Sequence, residues 1–76
     1  MTAVASYEDA HGQRCIDIVE GEDGRFTLKE FRRDPEDGGG WTPVRAYDGE
    51  SFATLEGALD AAVSLAPWLV VPGRAG

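Results

Sequence analysis

The chain is poor in the residues that carry covalent and metal chemistry. It has one cysteine and one histidine in 76 residues. Cys15 alone forms no intrachain disulfide, which removes the usual staple of a small secreted domain. His11 and Cys15 fall short of the ligand set a zinc site needs, so they read as a turn histidine and a half-buried thiol. A cysteine nucleophile also needs a base and a group to orient it, and only one histidine is present. No apolar run approaches the ~20 residues of a membrane span. The longest is Trp68-Leu69-Val70-Val71. The first residues lack the basic patch and apolar stretch of a secretory leader. The expectation is a soluble, cytoplasmic protein with no membrane partner.

Large apolar side chains are also scarce. Hydrophobic residues make up 42% of the sequence, but many are alanine. A domain of this size buries only about 60% of its unfolded surface. Area burial minus chain entropy comes out near zero for such scaffolds. An internal active site would take core volume from a chain with little of it. No catalytic motif is visible, so neither enzymatic activity nor a cofactor is expected. The acidic residues lie mostly beside glycine in connections, where nothing apolar raises a carboxyl pKa for acid–base work. Asp34-Pro35-Glu36-Asp37-Gly38 lacks the spacing and distal glutamate of a calcium loop. Gly38-Gly39-Gly40 is followed by no Lys-Ser/Thr pair and no helix, so it is not a phosphate loop.

What is present reads as a sheet followed by a helix. Ala3–Tyr7 is a candidate short first strand, followed by the turn-like Asp9-Ala10-His11-Gly12. Gln13 to Glu20 alternates, with Ile16, Ile18 and Glu20 on one face and Cys15, Asp17 and Val19 on the other. Gly21-Glu22-Asp23-Gly24 reads as a hairpin connection. The next strand spans residues 25–33, with Phe26 and Leu28 inward and Arg25, Thr27 and Lys29 outward. Phe31 breaks that phase, so either a bulge restores it or Phe31 is a surface aromatic. A loop at 34–40 precedes a strand at 41–47. Pro43 puts that strand at an edge or beside an irregularity.

Thr54 suits a helix N-cap and Glu56 suits the first turn. Leu55, Ala58, Leu59, Ala62, Leu65 and Ala66 form one apolar stripe. Gly57 costs the helix about 1 kcal/mol relative to alanine. The pattern predicts an α+β domain: a three- or four-stranded antiparallel sheet with one main helix packed on one face. A single domain over 1–71 and a flexible tail at 72–76 are expected. Trp68–Val71 is expected to fold back over the open side of the sheet; the alternative is that two chains cover it mutually, as a monomer or a homodimer respectively.

Charge is the most informative feature. Fourteen acidic residues against seven basic ones give a net charge of −7. Residues 1–24 carry net −5, residues 25–33 net +3, and residues 34–60 net −6. The field opposes nucleic-acid phosphates and anionic lipid. Acids concentrated in loops on a small sheet can imitate the charge of a nucleic acid and occupy a basic groove on another protein. The candidate contacts are Glu22, Asp23, Glu36, Asp37, Asp48 and Glu50. In size, charge and scarcity of cysteine the chain resembles the small acidic phage-encoded inhibitors, anti-CRISPR proteins among them. That resemblance implies a non-enzymatic inhibitor that blocks a basic nucleic-acid-binding surface, such as one on a CRISPR effector complex. The alternatives are a nucleic-acid-binding regulator with Arg25, Lys29, Phe31 and Arg33 on one basic face, or a homodimeric accessory module. Over residues 14–66, in element order only, the chain is similar to AP2-type and integrase arm-binding domains, which lay a sheet in the major groove.

Overall fold

A computed structural model describes residues 2–34, 36, 38–47 and 49–73. Four strands and one helix follow in chain order: β1 (Thr2–Glu8), β2 (Arg14–Glu20), β3 (Phe26–Arg33), β4 (Trp41–Ala46) and α1 (Leu55–Leu65). The sheet is antiparallel with strand order β1-β2-β3-β4, an up-and-down meander. The fold is α+β with the helix on one face, as the sequence pattern predicts. The shortest dimension, 18 Å, is that of one sheet plus one helix layer.

Each connection has a local chemical cause. In the β1–β2 turn the Asp9 carboxylate accepts from the Gln13 and Arg14 amides at 2.8 and 3.3 Å. Desolvation works to raise the Asp9 pKa, but these amide bonds outweigh it and hold the carboxyl below its ordinary value. In the β2–β3 hairpin the Gly21 amide donates to the Arg25 carbonyl at 2.8 Å, and Gly24 takes φ +77°, a value that favours glycine. Register shifts occur in both outer pairs, at Ala3/Ala5 and at Glu30/Phe31. The second makes room for Pro43 on the edge strand, where its missing N–H costs no ladder bond.

The core lies between the helix and the even-numbered positions of β2 and β3. Ile16, Ile18 and Leu28 are fully buried against Ala58, Ala62 and Ala66. Thr54 caps α1, its hydroxyl accepting from the Gly57 amide at 3.0 Å. A Cβ at Gly57 would stand 3.2 Å from that hydroxyl, which gives the helix-weakening glycine a steric reason. The apolar stripe is narrower than its spacing suggests. Its alanines form the buried seam, while Leu55 and Leu65, at the two ends of the helix, are exposed.

Two expectations are corrected. Trp68 and Leu69 do fold back as core, but on the helix side rather than over the open side of the sheet. The Leu69 amide donates to Ala66 and the Val70 amide to Glu8, which turns the chain along β1. The second concerns Cys15, which reads as half-buried in the sequence and shares its face with Val19. Both lie on the face away from the helix, yet they are 4% and 6% exposed. Side chains of that same face cover the thiol.

Candidate open-face site

The strand register places one set of side chains on the face opposite the helix. Cys15 stands opposite Phe31, Asp17 opposite Lys29 and Ser6 opposite Asp17. Across the β3–β4 pair, Phe31 meets Pro43 and Arg33 meets Trp41. Of the two readings of Phe31 the second holds: it is an aromatic of the open face, and the register shift beside it skips Val44 on β4 without returning Phe31 to the helix side. Trp41 was not among the sequence candidates. Its pairing with Arg33 depends on a loop of unknown register, and no local signal gives that.

A hollow of about 150 Å³ lies on this face, lined by Ser6, Cys15, Asp17, Phe31 and Trp41. The Ser6 hydroxyl donates to Asp17 Oδ1 at 2.7 Å, and the Cys15 thiol approaches the same oxygen at 4.0 Å. Burial pushes the Cys15 thiol up to about 11, and the Asp17 and Glu8 carboxylates add to the shift. The thiol is therefore neutral at physiological pH, the inert form rather than the nucleophilic one.

Arg33 and Arg25 are held in place by partners. Arg33 lies over the Trp41 ring, donates to the Gly12 carbonyl and sits 3.8 Å from Glu8. Arg25 stands just before the strand. It reaches Ser51, donating to the hydroxyl at 2.7 Å and to the carbonyl at 3.1 Å. Lys29 faces Asp17 in the register but makes no ion pair among the described residues. Lys29, Phe31 and Arg33 share a face with Asp17, while Arg25 lines a hollow with Thr27 and Ser51 beside the hairpin.

The acidic candidates divide between the two ends of the sheet. Glu22 and Asp23 lie in the β2–β3 hairpin, and Ser51, next to Glu50, lines a hollow with them. Glu36 lies in the β3–β4 connection at the opposite end. Seven residues of strand, at about 3.3 Å each, set the two ends ~20 Å apart. Asp23 has a local duty, accepting from the Arg25 amide at 3.0 Å. Glu22, Glu36 and Glu50 are exposed and make no ion pair among the described residues. Asp37 and Asp48 lie outside the described residues.

On the helix side, sequence reasoning missed a polar cluster. Glu30 is 9% exposed. Its carboxylate accepts from Arg14 and from the Tyr47 hydroxyl, each at 3.1 Å. Arg14 also lies 4.1 Å from the centroid of the Trp68 ring. The signal in the sequence was Glu30 itself, which continues the inward phase of Phe26 and Leu28.

Among the described residues no cluster of metal-ligating side chains forms, and no helix is long and apolar enough to cross a membrane. The chain matches no family model, no curated protein and no solved structure.

Proposed function

We propose that the chain is a non-enzymatic protein-binding inhibitor, of the anti-CRISPR-like class, whose carboxylates meet a basic nucleic-acid-binding surface on its target. One observation carries this reading. Exposed Glu22, Glu36 and Glu50, which make no ion pair among the described residues, stand at the two ends of the sheet, while Arg25 and Arg33 are occupied by partners inside the chain. The outward field is therefore negative at both ends, which steers a cationic surface toward the molecule and makes the encounter salt-dependent. The same pairing weakens the alternative of direct nucleic-acid binding, because a phosphate would have to displace Glu8 from Arg33 and meet Lys29 beside Asp17.

The test begins with immobilised protein exposed to a cell lysate. Proteins retained at 50 mM salt and released at 500 mM, about a threefold change in Debye length, are identified. Each is then assayed by gel shift for nucleic-acid binding with and without the inhibitor. Loss of nucleic-acid binding by a captured basic protein, relieved by combined Glu22→Lys and Glu36→Lys, supports the reading. Captured partners that keep their nucleic acid, or a shift of mixed DNA by this protein alone, overturn it.

A further inference from the structure

The 150 Å³ hollow of the open face is too small for a drug-sized ligand, whose pockets start at about 300 Å³. At a liquid share of about 30 Å³ per molecule it has room for about five waters, the space of one side-chain end. Its walls are of two kinds. Phe31, Trp41 and the neutral Cys15 thiol are apolar and polarizable. Asp17 supplies a carboxylate, with Ser6 beside it as a fixed hydroxyl.

That carboxylate is not locked in an ion pair, although Lys29 faces it across β2 and β3 and Arg33 covers one face of Trp41. Ser6 and Cys15 both approach Oδ1, and Asp17 makes no ion pair among the described residues. Charge next to a low-dielectric aromatic wall attracts a cation more strongly than charge in open water. Aromatic faces add their own attraction for ammonium and guanidinium groups. Lysine and arginine have the matching form, an apolar stem with a charged head.

We propose that this hollow receives one lysine or arginine side chain of the partner protein, with Asp17 as counter-ion and Phe31 and Trp41 against the stem. The proposal rests on the reading of the chain as a binder of basic surfaces, and it names the point where such a surface is anchored. The glutamates at the ends steer; the hollow holds.

The test uses isotopically labelled protein and three blocked tripeptides: acetyl-Gly-Arg-Gly-amide, acetyl-Gly-Lys-Gly-amide and acetyl-Gly-Leu-Gly-amide. The readouts are the Trp41 indole N–H and the Ser6 and Asp17 amides, with the Trp68 indole as an internal control. Both basic peptides are expected to move the first three signals at concentrations at least tenfold lower than the leucine peptide, leaving Trp68 unmoved. Asp17→Asn keeps an acceptor for Ser6 and is expected to remove that tenfold preference. Trp41→Ala, at an exposed position, is expected to weaken all binding, and Trp41→Phe to restore part of it. Equal response to the leucine peptide, or basic-peptide binding unaffected by Asp17→Asn, overturns the proposal. Success with peptides while no captured protein loses nucleic-acid binding leaves the hollow standing and rejects the inhibitor reading. Inhibition that survives Asp17→Asn unchanged but is lost with the Glu22→Lys, Glu36→Lys pair rejects the hollow and keeps the inhibitor.

Discussion

Arg33 lies over the ring of Trp41, the residue it faces across β3 and β4, with its guanidinium carbon 4.5 Å from the ring centroid. The pair ties the edge strand to the sheet at the end where the 34–40 connection enters. Exposed cation–π contacts contribute about 0.5–1 kcal/mol. A double-mutant cycle of Arg33→Ala and Trp41→Ala, read by urea unfolding, is expected to give a coupling of that size. Additive effects would mean that the stacking contributes nothing.

Glu30 is the buried charge of the helix-side face. Removing it leaves the Tyr47 hydroxyl and the Arg14 guanidinium without their acceptor. Arg14 is partly solvated, so the loss is less than that of a fully buried pair. Glu30→Ala is expected to destabilise the fold by about 2 kcal/mol in equilibrium denaturation. Tyr47→Phe, which removes one donor and keeps the ring, is expected to cost about 1 kcal/mol.

The Cys15 thiol links stability to alkaline pH. Its pKa is raised from 9.0 to about 11 in the folded chain. The folded state therefore holds a proton that the unfolded state releases, so stability is intact below about 9 and falls as pH rises toward about 11. Comparison with Cys15→Ala isolates this contribution from other titrating groups. The variant is expected to lose less stability across that window. Native Cys15 is also expected to react slowly with iodoacetamide at pH 8 and quickly once urea unfolds the chain.

The helix seam sets a steric limit. Ala62 has no exposed surface, whereas Leu65 is 49% exposed. Ala62→Leu must push the helix off the sheet and is expected to cost about 1–3 kcal/mol. Leu65→Ala removes a larger side chain and is expected to change stability by less than about 0.5 kcal/mol. Thermal melts of the two variants check the contrast.

Much of the architecture is written in short-range chemistry. The Gly21–Gly24 hairpin, the Thr54 cap and the edge position of Pro43 each follow from what a few neighbouring residues permit. The strand alternation of β2 likewise separates Ile16 and Ile18 from Cys15 and Val19. The candidate site was only half legible. Phe31, Lys29 and Arg33 were placed on one face by their spacing, and the glutamates were recognised as solvated. That Asp17 and Trp41 line one hollow is not visible in the sequence, because it depends on strands far apart in the chain.

Turns, caps and the phase of each strand needed nothing beyond local backbone preference and side-chain alternation, whose range is a few residues. Which cations and which carboxylate make no ion pair among the described residues, and where the hollow opens, required the packed sheet. Those properties arise from contacts between residues many positions apart, such as Ser6 with Asp17 and Arg33 with Trp41. Cross-strand register creates them, and of its two irregular pairings only the one beside Pro43 has a local signal in the sequence.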